Sequence, residues 1–237
     1  MSGTLKPVRQ AIIGAAAGAL IALALTAKNA SGLRAITAIP FFSLDRALLE
    51  HRNLVLAAAA GWVLLSLYWT VSARNATAAA RSESKASRAV HVVLTNLALL
   101  LEIAPIHGVG RFLPVSAAIM VAGLAVEFAG LLFAIWARRH LGEQWSGEIT
   151  IKQRHDLIRS GPYRRLRHPI YTGILIAAIA TVVARPSIAT FAGAILLLIG
   201  LWIKALLEER FLRRELGAEA YDAYARRTPM LVPLLKL

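Results

Sequence analysis

Two groups of polar residues in this 237-residue chain have the composition of a reactive or ligand-binding site. The first reads Leu141-Gly142-Glu143-Gln144-Trp145-Ser146, then His155-Asp156-Leu157-Ile158-Arg159-Ser160-Gly161-Pro162-Tyr163. It closes with Arg164-Arg165-Leu166-Arg167-His168-Pro169-Ile170-Tyr171. Gly161-Pro162 marks a turn. Pro169 biases His168 towards an extended conformation and is itself suited to open a helix. That helix would aim its free N–H groups and positive dipole end at the flanking Arg167 and His168, which together attract an anion. The same arginines could equally anchor a helix to lipid phosphates, and the residues alone do not choose between the two roles.

The second group is Lys204, Glu208, Glu209, Arg213, Gly217, Tyr221 and Tyr224. Lys204 and Glu208 are four residues apart and share a helix face, as do Glu209 and Arg213. Glu before Arg agrees with the helix dipole, so Glu209–Arg213 reads as a surface pair. Lys before Glu is the weaker order, which a ligand explains better than stability does. Tyr221 and Tyr224 also share a face, and their amphipathic rings suit a membrane boundary.

The elements that position these groups are apolar. The chain is 57% hydrophobic and only 17% charged, against about 25% charged in soluble domains. Its charges cluster, leaving uncharged or nearly uncharged runs at 10–27, 53–73, 89–110, 112–137, 168–184 and 186–203, interrupted only by Glu102 and Glu127. A crossing helix needs about 20 apolar residues, and the runs are rich in Ala and Leu without period-2 alternation. The expected fold is therefore an all-α integral membrane protein of about six transmembrane helices, with a hairpin of the last two and a cytoplasmic C-terminal helix. The run at 10–27, behind Lys6 and Arg9, has some likeness to a signal peptide but is long for one.

With the N-terminus inside, 21 of the 27 Lys and Arg lie on one side, in the N-terminal segment, 74–88, 138–167 and 204–237. Positive charge is retained in the cytoplasm, so both termini and these loops are expected there, in the inner (plasma) membrane. The net charge of +14 is then a topology signal with attraction to anionic membrane lipids, and calls for no nucleic acid partner. With no cysteine, disulfides and cysteine nucleophiles are excluded. His140 and His155 are too far apart to suggest a metal site. Arg185-Pro186 is a very short connection, so the last two spans form a tight antiparallel hairpin. That hairpin brings the Arg167-His168-Pro169 end beside the Lys204–Glu209 end.

The string Gly-Pro-Tyr-x-x-x-Arg-His-Pro-x-Tyr-x-Gly at 161–173 resembles the isoprenylcysteine carboxyl methyltransferases and their bacterial, phospholipid methyltransferase-like relatives. Glu208-Glu209-x-x-Leu212, Gly217-x-x-x-Tyr221-x-x-Tyr224 and Pro229-x-x-x-Pro233 continue the resemblance, which covers roughly 137–233. It implies methyl transfer from S-adenosylmethionine at the cytoplasmic face to a lipid-like or prenylated acceptor entering from the bilayer. Carried over, the cofactor contacts would be His155, Asp156, Leu157, Ile158, Tyr163, His168, Pro169, Ile170, Tyr171 and Glu208. Lys204 and Glu208 would be the catalytic pair, with Lys204 holding the acceptor carboxylate. Lys204 stands where the family usually has Arg, keeping the charge but losing the bidentate fork. Trp145-Ser146 stands where eukaryotic members have Asn-Phe.

The expected organisation is an N-terminal part, 1–110, and a methyltransferase-like part, 111–237. The latter comprises a cofactor loop (138–168), a hairpin (169–207) and a C-terminal segment (208–237). The competing reading is an NADPH-dependent membrane reductase of the sterol reductase type, which shares an Arg-His-Pro-x-Tyr loop but typically lacks the paired Glu followed by Tyr-x-x-Tyr. A non-catalytic protein that keeps the fold is the third. Glu102 and Glu127 read as structural acids satisfied by neighbouring helices, although intramembrane acids are functional candidates in general.

Overall fold

The computed structural model describes residues 51–72, 81–82, 85–103, 116–142, 150–151, 158–215 and 217–233. Among the described residues, five long helices pack as a bundle: α1 (Arg52–Ser72), α2 (Lys85–Ile103), α3 (Ala117–Leu141), α4 (Pro169–Ala184) and α5 (Ile188–Glu215). A short α6 (Ala218–Ala225) follows. Three of them, α1, α3 and α5, are long and apolar enough to cross a membrane, and α2 and α4 contain shorter apolar stretches, Ala89–Ile103 and Pro169–Ala184. Large apolar side chains face outwards on every one, among them Leu64, Val93, Leu132, Ile179 and Phe191. An exterior of this kind suits lipid, not water. The described residues form the helical bundle of a multi-pass membrane protein.

Five of the six expected spans thus correspond to described helices, with shifted ends; 10–27 lies outside the described residues. The last helix departs most from expectation. It runs past 203 to Glu215, because charged residues such as Glu208, Glu209 and Arg210 are good helix formers once the apolar stretch has ended. Gly217, at φ 87°, then turns the chain into α6.

Small residues set the packing. α3 and α4 share the longest contact, and their backbones touch. A Cβ on Gly173 would lie 2.6 Å from the Gly130 carbonyl oxygen, and one on Gly123 would lie 2.8 Å from the Ala184 nitrogen. Ala134, Ala177 and Ala180 continue the seam, which is how helices associate where no hydrophobic effect drives them together. α2 packs along α5, where Gly193 meets the Ala98 carbonyl. Trp62 of α1 is fully buried and donates its indole N–H to the Thr181 hydroxyl at 2.9 Å.

The C-terminal ends of α1, α3 and α5 and the N-terminal ends of α2 and α4 gather at one end of the bundle. Buried Arg138 joins two of them, donating to the Ser72 carbonyl and to the Gly142 carbonyl, each at 2.9 Å. A cation there also offsets the negative ends of two helix dipoles. The connections at this end meet in a two-residue antiparallel pairing, β1 (Arg81–Ser82) with β2 (Thr150–Ile151).

Candidate active site

The chain enters α4 through a 3-10 turn at Gly161–Arg164. Gly161 has φ 55°, and a Cβ there would meet the His140 ring at 2.5 Å, so only glycine fits the turn predicted at Gly161-Pro162. Tyr163 is buried; its ring stacks on His140 with centroids 6.3 Å apart, and its hydroxyl donates to the Ala137 carbonyl at 3.4 Å. Tyr221 and Tyr224 are buried beneath this turn and are not boundary residues. The Tyr224 hydroxyl donates to the Tyr163 carbonyl at 2.7 Å. Burial, with smaller opposing and reinforcing charge effects, pushes that hydroxyl up to about 12, so it remains a donor.

Pro169 occupies the first turn of α4, as expected, and Ile170 packs in the core. His168 has φ −124° and ψ 61°, short of the fully extended conformation expected before proline. The cause lies in the C-terminal segment. The N–H groups of Arg167 and His168 donate to the carbonyls of Pro229 and Met230 at 2.9 and 3.0 Å. The Thr172 hydroxyl donates to the Leu231 carbonyl at 2.6 Å. This strap holds the entrance of α4 in place.

The hairpin of α4 and α5 brings the two polar groups together. His168 Nε2 lies 3.1 Å from Glu209 Oε1, and its Nδ1 lies 3.4 Å from Glu208 Oε2. Two carboxylates facing the two ring nitrogens suit an imidazolium, the only form that donates from both. Burial alone would lower the His168 pKa; the hydrogen bonds and charges of Glu208 and Glu209 outweigh it and raise the pKa above its ordinary value. Tyr171 donates its hydroxyl to Glu208 Oε1 at 2.6 Å, and its ring stacks parallel on His168 at 5.3 Å. Lys204 Nζ lies 3.9 Å from Glu208 Oε1 and 5.7 Å from the centroid of the Tyr171 ring. Arg167 Nε lies 3.1 Å from Glu209 Oε1.

Of the residues selected from the sequence, His168, Tyr171, Lys204 and Glu208 form one cluster. Tyr163, Pro169 and Ile170 border it as supports. Ile158 is half-buried on the approach to the turn, and His155, Asp156 and Leu157 lie outside the described residues. Two expectations need correction. Glu209 does not serve Arg213, whose fork goes to Asp222 with two bonds of 2.8 Å. Glu209 belongs to the cluster, together with Arg167. The anions expected at the entrance of α4 include the protein's own Glu208 and Glu209. With His168 as imidazolium, the cluster has three cations (Arg167, His168, Lys204) and two anions, a net charge of +1.

Residues 118–219 match the family model described as phospholipid methyltransferase. The probable protein-S-isoprenylcysteine O-methyltransferases of Oryza sativa subsp. indica and subsp. japonica are each 30% identical over 117 residues. That alignment covers 49% of this chain and 56% of each relative, so the chain spans little more than half the length of the curated relatives it matches. A solved structure of the eukaryotic intramembrane Ras methyltransferase, isoprenylcysteine carboxyl methyltransferase, aligns with a TM-score of 0.47 at 18% identity. It covers 79% of this chain and 63% of that one. The residues matched by the phospholipid methyltransferase model run from α3 to the start of α6 and include His168, Lys204, Glu208 and Glu209.

Proposed function

We propose that this protein transfers a methyl group from S-adenosylmethionine to the carboxylate of an isoprenylcysteine or related lipid-like amphiphile. The site would face the cytoplasm from the inner (plasma) membrane, with both termini on that side. The observation that carries the reading is the His168–Tyr171–Lys204–Glu208 cluster, of net positive charge, at the end of a lipid-facing bundle.

The residues present suit the cofactor. A sulfonium is a cation, and the Tyr171 ring is an aromatic surface of the kind that attracts one. The Glu208 carboxylate, held by Tyr171 and His168, offers an acceptor for polar hydrogens. When bound, S-adenosylmethionine supplies the methyl group. Transfer to a carboxylate oxygen forms an ester and leaves a neutral thioether, with no proton to remove. The protein's task is then alignment and exclusion of water. Lys204 draws the acceptor carboxylate out of the headgroup layer, while the strap at Pro229–Leu231 holds His168 still. Tyr163, Pro169, Ile170 and Ile158 shape the wall on the loop side; the family resemblance adds His155, Asp156 and Leu157 as cofactor contacts.

The test is binding to the detergent-solubilised protein. Thermal shift or calorimetry should show stabilisation by S-adenosylhomocysteine and none by NADPH, and labelled S-adenosylmethionine should pass its methyl group to a prenylcysteine analogue. Stabilisation by NADPH alone would replace this reading with the membrane reductase. Binding of neither would leave a fold without the activity.

A further inference from the structure

A second charged cluster lies about 24 Å along α4 from His168, and the proposed reaction makes no use of it. Glu102 of α2 and Glu127 of α3 are both 0% exposed, and Arg185, which follows the last turn of α4, is 3% exposed. Glycines make room for the acids. A Cβ on Gly193 of α5 would lie 3.1 Å from Glu102 Oε1, and one on Gly61 of α1 would lie 3.0 Å from Glu127 Oε1. Arg185 sits where both acids converge: its Nη1 bond ends on Ile103, the neighbour of Glu102, and Ala184 abuts Gly123, one turn before Glu127 on α3.

Hydrogen bonding leaves this group incomplete. Arg185 Nη1 donates to the Ile103 carbonyl at 3.4 Å. Its Nε and Nη2, and all four carboxyl oxygens of Glu102 and Glu127, have no hydrogen-bond partner among the described residues. The neighbouring Thr181 hydroxyl is already engaged, donating to the Ala177 carbonyl at 3.0 Å and accepting from Trp62.

Charge arithmetic then restricts the states available. With both acids ionised the cluster carries −1 in the interior of an apolar bundle, which is costly. With both neutral, the guanidinium is left as an uncompensated buried charge, and it cannot shed its proton. One proton on the pair of carboxyls gives the neutral state. We propose that Glu102, Glu127 and Arg185 form a proton-binding site, in which the two carboxyls hold one proton between them and Arg185 neutralises the remaining charge. The site ties together α2, α3 and α4 at the end opposite the candidate active site.

Infrared spectroscopy of the full chain in lipid at neutral pH tests this directly. The wild type should show the carbonyl stretch of a buried carboxylic acid. Glu102→Gln and Glu127→Gln should each lose it, because the single remaining carboxylate is then neutralised by Arg185. Each single variant should melt within about 2 °C of the wild type, and the double variant lower by about 4 °C or more. Adding Arg185→Met to the double variant should restore the loss. No acid band in the wild type overturns the proposal, as does a band that persists in both single variants, or a double variant as stable as the singles. If the double variant fails to fold, the spectra of the wild type and single variants still decide.

Discussion

Glu209→Gln tests the contact that joins the loop cluster to the helix cluster. The substitution keeps the shape and removes the charge facing His168 Nε2 and Arg167 Nε, both at 3.1 Å. An exposed helix pair of Glu209 with Arg213 would be worth only a few tenths of a kcal/mol. Here the side chain is 17% exposed against partners at 6% and 7%. Breaking a fully buried pair costs about 3–5 kcal/mol, and a charged hydrogen bond is worth about 1.5–3 kcal/mol. Partial exposure and the retained amide favour the lower figure, so the expected loss is about 2 kcal/mol, or roughly 4–8 °C in Tm for a chain of this size. The pH dependence gives a second readout. His168 has its pKa raised in the folded state, so its contribution is fully present below the unfolded value near 6.5 and is lost as pH rises through the folded value. Melting curves of both proteins in detergent, from pH 5 to 9, should show the difference shrinking at the alkaline end. A loss of a few tenths of a kcal/mol, independent of pH, would refute the reasoning and return Glu209 to the surface.

Glu208→Gln should abolish methyl transfer, while Lys204→Arg retains it and Lys204→Met raises the acceptor KM before it affects cofactor affinity; turnover assays decide. Gly173→Ala places a methyl group 2.6 Å from the Gly130 carbonyl, and should cost about 1–3 kcal/mol by forcing α3 and α4 apart, measured by thermal melting. Thr172→Val removes the bond to the Leu231 carbonyl, and should cost about 1–3 kcal/mol and speed proteolytic removal of the C-terminal segment. A cysteine introduced at position 156 should react with reagents only from the cytoplasmic side; labelling from outside would overturn the topology on which the proposed function rests.

Much of the site was legible because its residues lie at helix ends that hydropathy locates well. Arg185-Pro186 fixed the hairpin, and the hairpin brought His168 beside Glu208. The role of Glu209 was not legible, because an i,i+4 rule sees only partners on the same helix. Arg213 was free to choose Asp222 once Gly217 turned α6 back alongside it. Tyr221 and Tyr224 looked like boundary residues because amphipathic rings suit both settings, and only the fold of the last residues buries them. The seam of Gly123, Gly130 and Gly173 was missed for a related reason. Small residues mark a contact only when the register of both helices is known.

The close seam between α3 and α4, and the long contact of α2 with α5, make the bundle resemble a pair of tongs. His168 and Arg167 sit on one arm, Lys204, Glu208 and Glu209 on the other, and the arms are joined at Arg185–Ser187. There the Thr190 hydroxyl donates to the Arg185 carbonyl at 2.7 Å and stiffens the pivot. The sixteen residues of α4 make an arm about 24 Å long. By that leverage, a swing of only about 2.5° at the pivot changes the gap between the jaws by about 1 Å. That is enough to break or remake every ion pair between His168 and the two glutamates, so the bonds of the Pro229–Leu231 strap, which hold the tip of α4, also fix the gap between the jaws.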